Sequence, residues 1–566
     1  MDRFNLKLFK RFWAIAKPFW FGEEKWRSRG LLLLLVLLLL AYTGLAVVLN
    51  AQQGALISSL SARDEPRFAQ TIKIFIGVLI IYAPLLAGYN YLQDRLGLLW
   101  RRWLTNSFLD NYLSRRAFYN INSNVEIDNP DQRIAEDVKS FTHDSLKFLL
   151  IFIGAILKVI AFSGVLWGIS KSLVIFLVIY ALVGTILTTV VFGRPLVQLN
   201  FEQLKKEANF RFGLIRIREN AESIAFYRGE EQESKQAKTR FLEAFDNFKQ
   251  LIYWELNLNV LTNFYEFIPF IIPAIVVAKS VFSGEIEVGK ITEAQGAFVR
   301  VFFSLNVIVS RLQSLATFGA GIDRLNSFAE YLENPNAQED ETPKINTVED
   351  SRLAVEHLTL QTPNNQRTLI KDLSLSLPSA QGMLIIGPSG CGKSSLLRAI
   401  AGLWNAGNGI IVRPKLDQML FLPQRPYMIL GTLREQLLYP HTNVEIDNSV
   451  LKQILQQVNL QDLDERYGGF DVERDWASVL SLGEQQRVTF ARILVSKPPY
   501  AILDEATSAL DLKNEEGLYQ HLQAIGTTFI SVGHRPNLVD YHQLVLELTE
   551  DQNWLLKQPE VTISEN

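Results

Sequence analysis

Residues 383–394 read MLIIGPSGCGKS, an apolar run that passes into a glycine-rich loop, and residues 395–403 continue as SLLRAIAGL with helical periodicity. Strand, loop and helix stand in the order that the G-x-x-x-x-G-K-[ST] pattern of Gly387–Ser394 requires. Gly387, Gly390 and Gly392 let the chain curl so that backbone N–H groups of Gly387, Pro388, Ser389, Gly390, Cys391, Gly392, Lys393, Ser394 and Ser395, proline excepted, ring a phosphate at a helix N-terminus. Lys393 then neutralises β- and γ-oxygens, and Ser394 offers its hydroxyl to Mg²⁺. The expected cofactors are ATP and Mg²⁺.

Downstream, Tyr500-Ala501-Ile502-Leu503 is a second apolar strand that ends in Asp504-Glu505. A carboxylate at its end holds Mg²⁺ through water, which is the role expected of Asp504, and Glu505 is placed to polarise the attacking water. From about Arg352 onward, short β-branched runs alternate with helical ones, which predicts an α/β domain over 352–566. Residues 334–351, NPNAQEDETPKINTVEDS, are acidic and bear proline without apolar periodicity, and they read as a linker.

Before residue 320 the composition changes. Gly30–Leu49 contains LLLLLVLLLL and no charge, enough for the ~30 Å hydrocarbon core at ~1.5 Å per residue. Similar runs at about Ile72–Tyr91, Phe148–Ile169, Leu173–Phe192, Asn263–Phe282 and Ala294–Thr317 predict a six-helix transmembrane domain over 30–333. Lys and Arg crowd the segment before the first run and the connections 92–147 and 193–262, which assigns those sides to the cytosol. Both connections are periodic and poor in Gly and Pro, so they read as helices that prolong the spans. Residues 1–29 mix Lys and Arg with Phe, Trp and Leu, the pattern of a cytosolic or interfacial helix. Lys158, Glu266 and Arg300 interrupt apolar spans, where charge is costly, and mark a solute path; Arg311 stands near the end of the last run. The fold expected is an α-helical membrane domain extended into the cytosol plus an α/β P-loop nucleotide-binding domain.

A net charge of −3 and a pI near 6.2 speak against nucleic acid as a partner, since a phosphate-reading domain needs basic excess. The single cysteine, Cys391, excludes an intrachain disulfide and any multi-cysteine metal site.

Leu480-Ser481-Leu482-Gly483-Glu484-Gln485-Gln486-Arg487, between the two phosphate motifs, resembles the signature loop of the ATP-binding-cassette family, in most members LSGGQ. The resemblance extends to Gln424 in Leu422-Pro423-Gln424, to Ser508-Ala509-Leu510-Asp511 and to His534 after the run Thr528–Val532. It implies that Gln424 senses the γ-phosphate and touches the metal, that His534 contacts the γ-phosphate, and that Ser481, Gly483, Glu484 and Asp511 serve nucleotide bound on a partner cassette. It therefore also implies a homodimer. Leu482 and Glu484 depart from the common signature, and Thr362-Pro363 stands where many members stack an aromatic ring on adenine. With Ile127–Ile134 and Arg218–Glu230 in the two long connections, the signature resembles the subfamily of peroxisomal acyl-CoA and lysosomal cobalamin half-transporters, subfamily D. It equally resembles bacterial relatives with an SbmA/BacA-like membrane domain. The implied activity is ATP-driven movement of a solute through a bacterial-type inner membrane, with the ATPase domain in the cytoplasm. Uptake of a hydrophilic solute such as cobalamin or peptides is favoured over export or flipping of a lipid or acyl-CoA. An ATP-gated channel or regulator is the alternative of another class, disfavoured by the presence of Glu505.

Overall fold

The computed structural model describes residues 6–121, 127, 129–333, 344–363 and 367–559, and the chain divides into two compact units at Gln338/Glu339. Asp128, residues 334–343 of the expected linker, and residues 364–366 after Thr362-Pro363 lie outside the described residues.

The first unit is helical. A short amphipathic α1 (Leu6–Phe21) precedes α2 (Lys25–Ser61) and α3 (Glu65–Leu113). Two brief helices, α4 (Ala117–Asn120) and α5 (Pro130–Gln132), lead to α6 (Val138–Ile169) and α7 (Lys171–Thr188). Then come α8 (Arg194–Glu219), α9 (Ala221–Tyr227), α10 (Glu230–Phe282), α11 (Gly289–Ser310) and α12 (Leu312–Glu333). Local chemistry sets the ends. Asp64 accepts the Arg67 N–H at 3.0 Å and caps α3, while Glu230, Glu231 and Glu233 occupy the positive N-terminal turn of α10. Asn129 takes a left-handed φ of 40° immediately before Pro130, and Arg228, at φ 54°, separates α9 from α10, so both long connections turn where the quoted motifs stand. Elsewhere the described residues of those connections are largely helical. At 53 residues, α10 is roughly 80 Å long, far beyond what a bilayer core requires.

Among the described residues, five helices are long and apolar enough to cross a membrane, lying in Lys25–Ser61, Glu65–Leu113, Pro130–Ile169, Lys171–Gly193 and Glu230–Phe282. The sixth expected span differs. Ala294–Thr317 crosses the junction of α11 and α12 at Arg311, and α11 does not reach the apolarity of the other five among the described residues. The physical reason is its surroundings: Ala294, Ala297, Phe298, Val301 and Phe302 are buried against α2, α6, α7 and α10, so much of its surface faces protein rather than lipid. Close packing here needs glycine. A methyl on Gly289 would collide with the Gly54 carbonyl and Ser58 Oγ of α2, and the Gly289 N–H donates to Ser58 Oγ at 3.1 Å. At the far end, α1 buries Leu8, Ile15, Ala16 and Phe19 in the bundle core and leaves Phe9, Trp13 and Phe21 exposed.

The second unit is α/β. Its strands are β1 (Asn346–Glu349), β2 (Leu353–Gln361), β3 (Thr368–Leu377), β4 (Gly382–Ile386), β5 (Gly407–Arg413), β6 (Met419–Leu422), β7 (Gly431–Thr432), β8 (Glu473–Arg474), β9 (Tyr500–Asp504), β10 (Thr528–Val532), β11 (Leu544–Leu548) and β12 (Trp554–Lys557). The helices are α13 (Lys393–Ile400), α14 (Leu433–Leu438), α15 (Asn448–Gln457), α16 (Leu463–Tyr467), α17 (Trp476–Val479), α18 (Leu482–Ser496) and α19 (Leu512–Ala524). Six strands form one sheet in the order β12-β11-β4-β10-β9-β6, parallel except for β12. Both faces are covered: Leu384, Ala501, Leu503 and Phe529 enter one core, while Met383, Ile385, Ile502, Ile530 and Val532 enter the other. That is why these strands are predominantly apolar. A four-stranded sheet β1-β5-β2-β3 closes the second core. Its edge corrects the linker boundary, because Asn346–Glu349 pairs in parallel with Ile410–Arg413. The exposed strand lacks an apolar pattern, which hid it in the sequence.

His542 is buried against Tyr519 and Phe529, with Nδ1 2.6 Å from the Leu538 carbonyl, and burial pushes its imidazole down to about 4. Between pH 6.5 and 4 the unfolded chain takes up a proton that the folded cassette refuses, so stability falls as pH drops through that window. The loss is on the order of 3 kcal/mol. His542→Gln is expected to flatten the decline of the cassette's thermal midpoint between pH 7 and 4.5; an unchanged slope would count against this role.

Candidate nucleotide-hydrolysing site

The parallel order β4-β10-β9 places the C-terminal ends of three strands side by side, and the loops leaving them carry the phosphate loop, Asp504-Glu505 and His534. The phosphate loop follows β4. Gly387, Gly390 and Gly392 have φ of 146°, 79° and 109°, and a Cβ on Gly387 would strike the Leu548 carbonyl. These positions require glycine. Lys393 Nζ donates to the Gly387 and Pro388 carbonyls, at 2.8 Å each, and so crosses the mouth of its own loop. Pro388, Ser389 and Gly390 are exposed, whereas the Cys391 side chain is buried, which leaves only its backbone for a phosphate. Ser394 and Ser395 lie in the first turn of α13, whose N–H groups have no partner within the helix.

Ser394 Oγ donates to Asp504 Oδ1 at 3.0 Å. Burial raises the Asp504 carboxyl, and this hydrogen bond works the other way. A hydroxyl and a carboxylate converging on one point are hard oxygen donors that suit Mg²⁺. Gln424, exposed just after β6, donates from Nε2 to Glu505 Oε2 at 2.7 Å, and His534 Nε2 stands 3.4 Å from Glu505 Oε1. The structure thus gathers Ser394, Asp504, Glu505, Gln424 and His534 in one chain of contacts. Glu505 itself sits at a left-handed φ of 50°, its N–H bonded to the Val532 carbonyl at 3.1 Å. The loop beyond it is held from below: Thr507 Oγ1 donates to buried Glu515 at 2.6 Å, and Glu515 also accepts from Asn537 at 3.0 Å and Arg535 at 3.3 Å.

Ser481, Gly483 and Glu484 form the N-terminus of α18. Ser481 caps the helix and Glu484 returns the bond to the Ser481 N–H at 2.9 Å, a complete capping box. Glu484, atypical for a signature loop, also pairs with Arg466 at 2.8 Å. Burial works to raise its carboxyl, but hydrogen bonds from Ser481 and Arg466 outweigh this and hold it below the ordinary range. Asp511 caps α19 through the Asn514 N–H at 2.8 Å. No contact among the described residues joins this group to Lys393.

The sequence reading gave no role to three residues of α18 and its surroundings. Buried Gln486 donates to Ser508 Oγ at 3.2 Å and accepts the Ala509 N–H at 3.0 Å, which ties the signature helix to the Glu505 loop. Arg492, whose guanidinium burial pushes down to about 10, donates to the carbonyls of Gln436 and Tyr427 at 2.8 and 2.9 Å. Arg466 is the partner of Glu484. Polar residues set among the apolar residues of α18, which is buried nearly all round, were the available signal for the first two.

In the helical unit, Lys158, Glu266 and Arg300 are each half-buried, but they form no common ion pair among the described residues. Arg311, at the α11/α12 junction, lines a cavity of about 440 Å³ with Asp144, Lys147 and Ser314.

The capping box yields a graded expectation. Glu484→Gln keeps an N3 side chain able to close the box, loses only the Arg466 charge pair and should cost under about 1 kcal/mol; Glu484→Ala loses both and should cost about 1–2 kcal/mol. Thermal midpoints of the cassette in the full chain check the order, and equal losses would refute it.

Comparison with known proteins bears on the whole chain. The model for ABC transporter transmembrane region 2 matches residues 17–282, and that for the ABC transporter domain matches residues 370–508. An uncharacterized ABC transporter ATP-binding protein of Synechocystis is 45% identical, over 94% of this chain and 82% of its own. ABC transporter D family member 2, chloroplastic, of Arabidopsis thaliana is 38% identical over 97% and 88%. The lysosomal cobalamin transporter ABCD4 of Mus musculus is 32% identical over 98% and 97%. Because similarity of this extent spans both units, the chain belongs to the ATP-binding-cassette transporter family, as a multi-pass membrane protein of the D-family half-transporter type that couples ATP hydrolysis to transport.

Proposed function

We propose that two copies of the chain work together and that ATP hydrolysis at sites shared between their cassettes drives uptake of a hydrophilic solute, such as cobalamin or a peptide. The observation that carries the hydrolytic part is the placement of Glu505 between Gln424 at 2.7 Å and His534 at 3.4 Å, next to the Ser394–Asp504 pair. Glu505 takes the proton of the water that attacks the γ-phosphorus, and His534 orients that phosphoryl group. Lys393 and the N-terminus of α13 offset charge on the phosphate oxygens. Ser394, Asp504 and Gln424 would hold Mg²⁺, which when bound draws charge from the β- and γ-oxygens.

The shared site is proposed because Ser481, Gly483, Glu484 and Asp511 cluster at helix N-termini without touching Lys393 of their own chain. In the proposed homodimer they close over nucleotide held by the partner copy. Closure changes the side to which the helical units open. The clustering of Lys and Arg in the segments before α2, between α3 and α6 and between α7 and α10 supports a cytoplasmic cassette, and the bacterial relatives support a cell membrane. A hydrophilic solute is favoured by the polar groups Asn50 and Arg300 inside the bundle and by the name of the mouse relative. The path itself is proposed to include Lys158, Glu266 and Arg300.

Proteoliposomes containing the full chain test this reading. ATP-dependent accumulation of cobalamin or peptides is expected with wild type. Glu505→Gln should keep ATP binding, lower turnover by roughly 10²-fold or more and stop accumulation. Flux supported by ATP binding alone would favour a gated channel, and stimulation only by acyl-CoA or lipid would favour export or flipping. For the shared site, Lys393→Ala subunits mixed with Ser481→Arg subunits should regain ATPase that neither parent has, since mixed dimers retain one intact site. No regain in confirmed mixed dimers would overturn the arrangement.

A further inference from the structure

Helices α2, α6 and α11 pack on one another and bring two cations together inside the bundle. Arg300 of α11 donates from Nη1 to Asn50 Oδ1 of α2 at 2.6 Å, and its guanidinium carbon lies 5.0 Å from the centre of the Phe162 ring of α6. Lys158, one turn before the Phe162 on which Arg300 stacks, holds its Nζ 6.0 Å from the centre of the Tyr42 ring. Lys158 and Arg300 each stand roughly 16 Å along the helix from the ends at Ile169 and Gly289, which is mid-depth for a ~30 Å core.

No carboxylate balances the pair among the described residues. Glu293, on the same helix as Arg300, is committed to Lys290 at 2.6 Å, and Glu266 of α10 forms no ion pair with either cation. The other titratable neighbours are the phenols Tyr42, Tyr82 and Tyr89, stacked edge to face. Asn50 is oriented by a separate bond, Nδ2 donating to the Glu293 carbonyl at 2.9 Å, which turns its Oδ1 toward Arg300 and fixes the guanidinium. Most donors of the pair remain available, since the Lys158 amine donates to no acceptor among the described residues and a guanidinium carries five N–H groups. Two like charges held without a counter-charge at this depth are costly unless something anionic joins them.

We propose that Lys158 and Arg300, with Asn50 as brace, form a binding site for an anionic group, a phosphate or carboxylate, carried by the molecule that the transporter moves. This rests on the transport reading and narrows its substrate class. Arg300 supplies a planar fork and Lys158 a point charge, a combination that fits a group with two or more oxygens. Such a group belongs either to a soluble solute or to a lipid headgroup.

The test uses the full chain in nanodiscs of phosphatidylcholine, with phenyl phosphate as soluble probe, added phosphatidylglycerol as lipid probe, and benzyl alcohol and phenyltrimethylammonium as neutral and cationic controls. Thermal stabilisation against probe concentration is read in wild type and in Glu505→Gln, because binding needs no turnover. At least one anionic probe should stabilise both proteins where the controls do not, and which one it is assigns the group to solute or lipid. Lys158→Met and Arg300→Gln should each weaken that probe's apparent affinity at least about tenfold. Lys158→Arg and Arg300→Lys, which keep the charge, should stay within about threefold. The proposal is overturned if anions stabilise no better than the controls, if the neutral variants bind as tightly as wild type, or if the charge-keeping variants lose as much as the neutral ones. Failure of ATP-dependent accumulation with anion binding intact would instead count against the transport reading alone.

Discussion

The parallel pairing of β10 between β4 and β9 is the constraint on which the cassette depends. Register pairs Val532 with Ile385 on one side and with Asp504 on the other, so three loops leave the sheet at one edge and at one level. Every strand in this part is buried on both faces, and apolar packing rather than polar contact keeps the loops in place. Chemistry is then assembled by short reach: Ser394 to Asp504, Gln424 and His534 to Glu505. A carboxylate at left-handed φ is tolerated because Val532, Glu515 and Gln486 hold its loop from three directions.

The helical unit answers a different constraint. Lipid-facing surface demands apolar side chains, while helices buried in the bundle are free to carry polar ones. Residues of α11 illustrate this: Ala294, Ala297 and Phe298 are buried against neighbouring helices, and Arg300 on the same helix finds Asn50. Gly54 and Gly289 permit the close approach of α2 and α11 near which this polar pair is placed. The same burial that lowered the apolarity of α11 made it the least legible span.

Signature helix α18 links the two kinds of argument within the cassette. Glu484 stood out in the sequence only as a departure from the common signature. In place, it completes a capping box and pairs with Arg466, so the substitution stabilises the N-terminus that carries Ser481. Gln486 then couples that helix to the Ser508-Ala509 segment beyond Glu505.

By itself the sequence determined what depends on neighbours along the chain. The phosphate loop needs glycines at fixed spacing, the apolar runs need length, and the helix break at Asn129-Pro130 needs local backbone chemistry, so all were readable. Asp504 and Glu505 were readable too, as carboxylates at the end of an apolar strand. Only the tertiary structure decided that Asn346–Glu349 is an edge strand, that α11 stops before Arg311, that Arg300 stacks on Phe162 one turn from Lys158, and that Gln486, Arg492 and Arg466 position the signature helix. The reason is common to all four: an exposed edge strand, a helix sheltered from lipid and a polar side chain satisfied by a distant carbonyl owe their energetics to residues far away in sequence, and no local pattern records such partners.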